Sequence, residues 1–533
     1  MKITFIGADH EVTGSLHLVE TNDTKLIVDC GMEQGKNVYE NAPLPVNYSD
    51  LDYIILTHAH IDHTGMVPFA YKNGFNGTIL STEASLELDR IMLLDSASIQ
   101  EKEAEQDNKK NKRAGNKEEE PLYTVEDASN CMSLFRSVPY GETIELSDTV
   151  SVRFTDAGHL LGSSSVEMWL KEDDSTKKVV FSGDIGNKNK PLIRDPEYIS
   201  EADYVIMEST YGDRYHDITT DHVEDLRRIV QETLDRGGNV LFPAFAVGRT
   251  QELLFLFRQL KEKNMIHGHD GFPVYVDSPL AVEATKVFDA NLEKCFDEET
   301  AELVRKGVNP ILFDDLVLSV STEDSKAINT DTVPKVIIAA AGMCNAGRIK
   351  HHLKYNLWRE ESAVVFAGYQ AVGTLGRQLQ DGAESVKIFG EKVAVKAKIE
   401  TMPDMSSHAD ADGLIEWAMS YNPSPSKIIL VHGDDEAMES LKQKLEDKLD
   451  TEVICPFSGS VFDIKSGEFE YLAQPMPIKK ENGTPIRINE HAANLDEALN
   501  ALHALVERQK QGANRDMDEL ANAIEKLIDK YSF

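Results

Sequence analysis

The stretch IILTHAHIDHTG, residues 54–65, decides the fold, because an apolar run leads directly into three histidines and an aspartate. His58 and His60 are two apart, so in an extended segment their rings point the same way, whereas Asp62 and His63 fall on the following turn. Imidazole and carboxylate groups are suitable ligands for Zn²⁺, Mn²⁺ or Fe. The alternative is a helix start capped by Asp62 with surface histidines around it. Chance His-x-His pairs are common, but the full His-x-His-x-Asp-His string is not, so it favours a metal site.

Two metal ions need more ligands than this cluster holds, and other apolar runs end in suitable side chains. The candidates are His159 in TDAGHLLGS, Asp184 in FSGDIG and His432 in LVHGDD. A lone histidine or aspartate in a loop is usually polar surface, but each of these follows an apolar run or sits in a glycine-flanked turn. Asp29, in LIVDCG, is similarly placed and is predicted to orient one of the ligands. The five cysteines lack paired spacing, so histidine and carboxylate must hold any metal.

Length and charge limit the possible functions. The chain has 533 residues, which predicts two or three domains. It contains no apolar run long enough to cross a membrane, and the start MKITFIGADH lacks the features of a signal peptide, so we expect a cytoplasmic protein. The formal net charge of −36, from 55 basic and 91 acidic residues, argues against a nuclease. Acidity is equally compatible with a halophilic or solubility trait, and it does not exclude a local basic groove.

Apolar, β-branched runs alternate with helical patterns along most of the chain, which predicts an α/β fold. KLIVDCG (25–31) and NVLFPAFAVG (239–248) are two such runs, and each predicts a buried strand that ends at a functional loop. Residues 221–236 carry apolar side chains on one helical face, with Asp221 placed to cap the helix and Gly237 to end it.

The C-terminal part has a different pattern. Three prolines and a glycine predict a linker over residues 474–490. Two helical patterns over residues 491–533 then predict an αα-hairpin. This hairpin either mediates self-association, which predicts a homodimer, or packs on its own domain.

These motifs together resemble those of metallo-β-lactamase-fold hydrolases and, more narrowly, those of the β-CASP branch of RNA-processing nucleases. The resemblance covers roughly residues 1 to 470. It implies a centre with two metal ions, with zinc expected and Mn²⁺ or Fe as alternatives. Asp184 matches the carboxylate that bridges the ions. The implied ligands of the first and second ion are, respectively, His58, His60 and His159, and Asp62, His63 and His432.

Further marks resemble the β-CASP branch itself. Glu208 in MESTYG matches its acidic first motif, and His408 in SSHAD matches its second, a histidine near the scissile phosphate. His432 matches the third, where histidine accompanies RNA substrates and DNA-directed relatives usually carry valine. Val372 occupies a position at which relatives often have an acidic residue. Three longer segments are also similar to the branch, PAFAVGRTQELL (243–254), GMCNAGRIKHHL (342–353) and GYQAVGTLGRQL (368–379).

The resemblance implies an αββα sandwich with an inserted α/β domain, and the active site between the two. The sandwich is split, because His432 must reach the metal cluster from far along the chain. The expected divisions are 1–208 and 395–473 for the sandwich, 209–394 for the inserted β-CASP domain, 474–490 for the linker and 491–533 for the helical extension.

The implied activity is a metal-dependent ribonuclease that acts on single-stranded RNA, as an endonuclease, a 5′-exonuclease or both. Asp62, Glu208 and His408 are the expected catalytic residues, with His408 as general acid and Glu208 orienting its ring. Arg249, Arg348 and Arg377 stand in glycine-containing loops of the β-CASP segment, where they are predicted to contact the phosphate backbone. The alternative for these arginines is ordinary pairing with the many carboxylates.

Three other functions stay open. A hydrolase of the same fold, acting on a small ester or thioester, explains the acidity but leaves His408 and the long insertion without a role. A non-catalytic RNA-processing scaffold normally loses metal ligands, whereas all of them are present here. A DNA nuclease conflicts with His432, although family analogy is the only argument for that.

Overall fold

The computed structural model describes residues 1–35, 37–216, 221–292, 295–371, 373–402 and 405–478. All of these except Ile478 belong to one compact unit, Met1–Pro477. Val372, the predicted linker from residue 479 onward and the predicted hairpin over 491–533 lie outside the described residues. In the part of the chain that is described, no helix combines the length and apolarity that a membrane crossing requires.

The described chain forms twenty-three strands and thirteen α-helices. The strands are β1 (Lys2–Gly7), β2 (Leu16–Glu20), β3 (Lys25–Val28), β4 (Tyr53–Ile55), β5 (Thr78–Ser81), β6 (Phe135–Ser137), β7 (Thr143–Glu145), β8 (Val150–Asp156), β9 (Ser164–Glu172), β10 (Ser175–Phe181), β11 (Tyr204–Glu208), β12 (Val240–Pro243), β13 (Val274–Asp277), β14 (Leu316–Ser319), β15 (Val336–Ala339), β16 (Ala363–Phe366), β17 (Ser385–Ile388), β18 (Glu391–Ala394), β19 (Lys398–Thr401), β20 (Lys427–Val431), β21 (Glu452–Ile454), β22 (Val461–Asp463) and β23 (Glu468–Tyr471). The helices are α1 (Ile61–Thr64), α2 (Val67–Lys72), α3 (Glu83–Ala114), α4 (Val125–Cys131), α5 (His222–Asp235), α6 (Arg249–Glu262), α7 (Pro279–Ala290), α8 (Glu298–Arg305), α9 (Thr322–Thr330), α10 (Ile349–Asn356), α11 (Leu375–Gln380), α12 (Ala411–Ala418) and α13 (Asp435–Lys448).

Two sheets pack face to face and form the centre of a sandwich. The first has the order β23-β22-β1-β2-β3-β4-β5-β6, and the second β21-β20-β11-β10-β9-β8-β7. Alternate residues of each strand point to opposite faces, so Ile55 joins the core between the sheets while Ile54 packs outward. In the second sheet Ile206 lies in the shared core and Val205 packs outward. Helices cover both outer faces, which confirms the predicted αββα arrangement.

A third sheet lies in the segment between β11 and β20. Its order is β14-β13-β15-β12-β16-β19, and all of its strand pairs are parallel. Parallel strands need crossover connections, and α6, α7, α9 and α10 lie between successive strands. The chain returns through β20, which pairs with β11 in the second sheet. The third sheet is therefore an insertion into the sandwich.

The limits of the inserted domain remain a prediction, and we propose one change to them. Strand β19 pairs with β16 of the third sheet, although residue 395 was the expected start of the second sandwich part. We therefore propose that the insertion extends to Thr401. The expected helix over 221–236 forms as α5, where the Asp221 side chain accepts hydrogen bonds from the backbone N–H groups of Val223 and Glu224.

Candidate metal centre

The carboxyl ends of several strands bring the candidate metal ligands to one edge of the sandwich. His58 and His60 follow β4, and the short helix α1 then carries Asp62 and His63. The remaining candidates follow strands of the second sheet, His159 after β8, Asp184 after β10 and His432 after β20. All seven predicted ligands thus meet in one place, because a buried apolar strand ends in a polar loop each time.

A first group contains three imidazoles and one oxygen of Asp184. Nε2 of His58 lies 3.0 Å from Nδ1 of His60, which is 3.3 Å from Nε2 of His159. Asp184 Oδ2 is 3.4 Å from Nε2 of both His58 and His159. Two ligands bound to one tetrahedral zinc at about 2.0–2.1 Å stand about 3.3 Å apart. These spacings therefore fit a metal ion among the four side chains.

The second group uses the other oxygen of Asp184. Nε2 of His63 lies 3.2 Å from Nε2 of His432, and the latter atom is 3.6 Å from Asp62 Oδ2. Asp184 Oδ1 is 3.4 Å from His63 Nε2 and 3.6 Å from His432 Nδ1. Although this oxygen is buried, it has no hydrogen-bond partner within the described residues. A buried carboxylate oxygen without a partner is costly, and a cation between the groups would satisfy it.

Hydrogen bonds fix the rings of the two histidines in the second group. The buried Asp29 lies 2.7 Å from His63 Nδ1 and accepts a 2.8 Å bond from the backbone N–H of Thr57. Thr210 Oγ1 lies 3.0 Å from His432 Nδ1. Such contacts aim the other ring nitrogen at a metal and set its tautomer. The sequence pointed to Asp29 but not to Thr210, whose only signal is its place two residues after Glu208.

The buried histidines and carboxylates of this centre shift one another's pKa values. Burial lowers the pKa of His58, and burial together with the neighbouring His58 lowers the pKa of His60 to about 3. Burial opposes ionisation of Asp184, but the imidazoles of His432 and His63 outweigh it and hold the pKa of this carboxyl well below its ordinary value. Carboxylates in turn outweigh burial and raise the pKa values of His63, through Asp184 and Asp29, and of His432, through Asp184 and Asp62. A cation bound at Asp184 would replace these protons, because imidazole binds a metal in its neutral form.

The predicted acid pair adjoins this centre. His408 Nδ1 lies 3.2 Å from both carboxylate oxygens of Glu208, and Nε2 lies 3.8 Å from Asp184 Oδ2. Glu208 ends β11 and also accepts a hydrogen bond from the backbone N–H of Ile185. Burial lowers the pKa of His408, but the Glu208 and Asp184 carboxylates outweigh burial and raise this pKa to about 9. The ring therefore carries a second proton at neutral pH.

The three candidate arginines lie near the carboxyl edge of the third sheet, and each has an acidic partner. Arg249 pairs with Glu252. Arg348 Nη1 lies 2.6 Å from Asp277, and Arg377 Nε lies 2.8 Å from Asp381. Ordinary ion pairing, the alternative considered from the sequence, accounts for these contacts. Their contact with a phosphate backbone stays a prediction.

Comparisons with known proteins agree with this geometry. Three family models match the chain. Residues 11–244 match the metallo-beta-lactamase superfamily, residues 250–379 the Beta-Casp domain, and residues 392–456 the Zn-dependent metallo-hydrolase RNA specificity domain. The matched segments lie between residues 11 and 456 and leave two short gaps, 245–249 and 380–391.

Three relatives align with more than four fifths of this chain. Ribonuclease TTHA0252 of Thermus thermophilus is 35% identical over 448 residues, which are 84% of this chain and 96% of that protein. Transcription termination factor FttA of Methanocaldococcus jannaschii is 32% identical, over 82% of this chain and 67% of that protein. FttA of Methanosarcina mazei is 28% identical, over 85% and 70%.

The layered fold and its histidine–aspartate centre define a divalent-metal hydrolase of the metallo-β-lactamase superfamily. More narrowly, the chain belongs to the β-CASP family of that superfamily, as the matched domains and the relatives show.

Proposed function

We propose that this chain is a metal-dependent ribonuclease that hydrolyses phosphodiester bonds of single-stranded RNA, as an endonuclease, a 5′-exonuclease or both. The observation that carries the proposal is the Glu208–His408 pair beside Asp184, because hydrolysis of a phosphodiester needs a proton donor next to the metal centre. The names of the relatives support an RNA-directed role, since one is a ribonuclease and the others are transcription termination factors.

The proposed cofactors are two zinc ions, with Mn²⁺ or Fe as alternatives. His58, His60 and His159 would hold one ion, Asp62, His63 and His432 the other, and Asp184 would lie between them. Imidazole and carboxylate ligands without thiolate suit all three metals, and zinc is the commonest of them at such sites. When bound, two such ions supply Lewis acidity and lower the pKa of a water molecule toward neutrality.

The protein's own groups have separate tasks in this proposal. Asp29 and Thr210 hold the rings of His63 and His432 in the orientation that ligation needs. Glu208 keeps His408 doubly protonated and aims its Nε2–H into the site. A water molecule adds to phosphorus and releases a proton to solvent, and the His408 proton passes to the leaving 3′ oxygen as its bond to phosphorus breaks, because an alkoxide is a poor leaving group. A homodimeric state and a cytoplasmic location remain predictions from the sequence.

One parallel assay separates the candidate functions. The metal-loaded protein is incubated with labelled single-stranded RNA, DNA of the same sequence and a small nitrophenyl ester. We expect cleavage of RNA alone, lost on chelation and restored by zinc. Faster cleavage of the ester than of RNA would favour the small-molecule hydrolase, equal cleavage of DNA would favour a general nuclease, and no turnover of any substrate would favour a scaffold.

A further inference from the structure

Three neighbouring loops at the carboxyl edge of the third sheet present two uncovered aromatic rings. Strands β15, β12 and β16 are adjacent, and Phe245 follows β12 while Tyr369 follows β16. Phe245 is 53% exposed and Tyr369 is 51% exposed. Other aromatic side chains of the described chain are exposed as well, but these two follow neighbouring strands at the same edge of the sheet, where one ligand can reach both.

The loop that carries Phe245 packs against the metal centre. Ala244, Ala246 and Val247 are buried and share an apolar cluster with Ala59 and Leu160, the neighbours of the candidate ligands His58, His60 and His159. A Cβ added to Gly248 would lie 3.2 Å from Leu160 Cδ1, so the two loops touch. Phe245 is three residues from Gly248, a distance of at most about 11 Å. Only its ring, among these neighbours, turns away from the core.

Hydrogen bonds fix the loops in this arrangement. Thr250 Oγ1 donates a 2.7 Å bond to the carbonyl of Phe245. The buried Gln370 amide donates to the carbonyls of Gly342 and Tyr369, both at 3.1 Å, and so ties the loop after β16 to the loop after β15. The Phe245 ring lies directly over Gly342, because a Cβ there would stand only 3.2 Å from two ring carbons. The ring is thus presented on a fixed backbone and does not need to be ordered on binding.

The charges nearby leave little free attraction for phosphate. The candidate arginines Arg249, Arg348 and Arg377 are each paired with a carboxylate, and the chain carries a net charge of −36. Proteins that hold single strands combine a positive groove with aromatic rings on which bases stack. Where the positive charge of the groove is weak, stacking on aromatic rings must supply more of the binding free energy.

On the basis of the proposed ribonuclease function, we propose that Phe245 and Tyr369 form a base-stacking platform that holds unpaired RNA bases beside the metal centre. Stacking uses the flat face that every base has, so this platform accepts single strands with little preference for sequence. It rejects duplex RNA, whose bases are already stacked on one another.

The test measures binding and turnover with full-length, metal-loaded protein. The binding probe is a fluorescent, phosphorothioate-linked single strand of uridines, which is cleaved slowly. Phe245→Leu keeps apolar bulk and removes the ring, and Tyr369→Leu does the same at the second position. We expect each substitution to weaken binding and raise KM by about 5- to 150-fold, the usual loss for one stacked base, with a smaller change in kcat. Phe245→Trp retains an aromatic face and is expected to stay close to wild type.

Trp358→Leu is the matched control. Trp358 is 55% exposed, but it follows α10 and precedes β16, which puts it at the opposite edge of the same sheet. We expect this variant to bind the probe as wild type does. Probes that lack a single base add a second measurement. If the missing base is the one that stacks on Phe245 in the intact probe, Phe245→Leu should not weaken binding of that probe any further.

Equal affinity of Phe245→Leu and Trp358→Leu would overturn the proposal. It would also fail if Phe245→Leu weakened every abasic probe to the same extent. The binding measurement keeps this inference separate from the proposed function. If wild type binds the probe but cleaves no RNA, the ribonuclease assignment fails, whereas the comparison of the two leucine variants still decides on the platform.

Discussion

Asp277 and Asp184 are both buried and both have histidine neighbours, yet their surroundings differ in a way that separates a metal site from a structural network. Asp277 ends β13 and is fully hydrogen-bonded. It accepts bonds from Ser319 at 2.8 Å, Ser325 at 2.5 Å, Arg348 at 2.6 Å and His352 at 2.7 Å. Because every lone pair that faces the protein has a donor, no cation is needed to stabilise the charge.

Asp184 follows β10 and has the opposite arrangement. Five imidazoles surround it at 3.4–3.8 Å, beyond ordinary hydrogen-bond length, and its Oδ1 has no partner in the described part of the chain. These rings stand too far from Asp184 to satisfy its oxygens by ordinary hydrogen bonds, and a cation among them would supply the missing partner. The difference teaches that the distances and the unsatisfied atom, more than the residue types, identify the metal centre.

The largest effect is expected from removing one of the proposed metal ligands around Asp184. Asp184→Ala or His63→Ala should reduce bound metal and abolish hydrolysis, because each substitution deletes a side chain that is proposed to bind a metal ion directly. Metal content by mass spectrometry and RNA cleavage check this. His351→Ala, outside the cluster with its ring on Phe389, is the matched control and should keep both properties. Full metal content and activity in both ligand variants would refute the assignment.

Loss of the neighbouring acid should leave the metal in place. His408→Ala is expected to retain metal and RNA binding while cleavage falls about 10²- to 10⁴-fold, the usual contribution of a positioned acid. An RNA with a bridging 3′-sulfur at the scissile bond should reduce this loss, because its leaving group needs no proton. An equal defect on both substrates, in a folded and metallated variant, would remove His408 from the acid role.

The structural network should respond in stability instead of activity. Asp277→Asn leaves Arg348 and His352 without their carboxylate, and we expect the free energy of unfolding to fall by about 3 kcal/mol with metal content unchanged. Burial opposes ionisation of Asp277, but bonds from His352, Ser325 and Ser319 lower its pKa from 3.8 to about 2. Its contribution is therefore present above pH 3.8 and lost as the pH falls toward 2.

Urea unfolding followed across this pH range tests that prediction. The matched control is Asp381→Asn, which removes the exposed partner of Arg377 and should change stability little. If Asp277→Asn unfolded at the same urea concentration as this control, the network would have no structural role. A loss of metal in Asp277→Asn would show that Asp277 also contributes to metal binding, contrary to the comparison with Asp184.

The smallest effect is expected at the residues that orient ligands. Asp29→Asn keeps the size of the side chain but weakens the bond that positions His63, so metal affinity should fall about 10- to 100-fold. Thr210→Val should act in the same way on His432. Competition with a chromophoric chelator measures both. An unchanged affinity in either variant would limit that side chain to a role in packing.

Much of this centre was predictable because its ligands follow apolar runs. The carboxyl ends of neighbouring strands converge at one edge, so the positions of His58, Asp184 and His432 in the sequence already indicated a common site. The αββα fold followed from the family resemblance that these motifs carry. Local sequence patterns were sufficient to predict a candidate ligand where the ligand lies in the loop directly after an apolar strand.

Other features depend on contacts between distant segments. The Asp277 network joins β13, β14, α9 and α10, and no local pattern announces that Ser325 and His352 will meet one carboxylate. The acidic partner of Arg348 was invisible for the same reason. The expected end of the insertion preceded β19, because a short strand of mixed polarity gives no sign of which sheet it will join.

Anomalous diffraction from crystals grown with zinc tests the central claim most directly. Data collected on both sides of the zinc absorption edge locate each ion independently of any activity. We predict two peaks about 3.5–4 Å apart on either side of Asp184, one near His58, His60 and His159 and the other near His63 and His432. No peak is expected beside Asp277 and His352. Absence of density at Asp184, or a peak at Asp277 instead, would contradict the account.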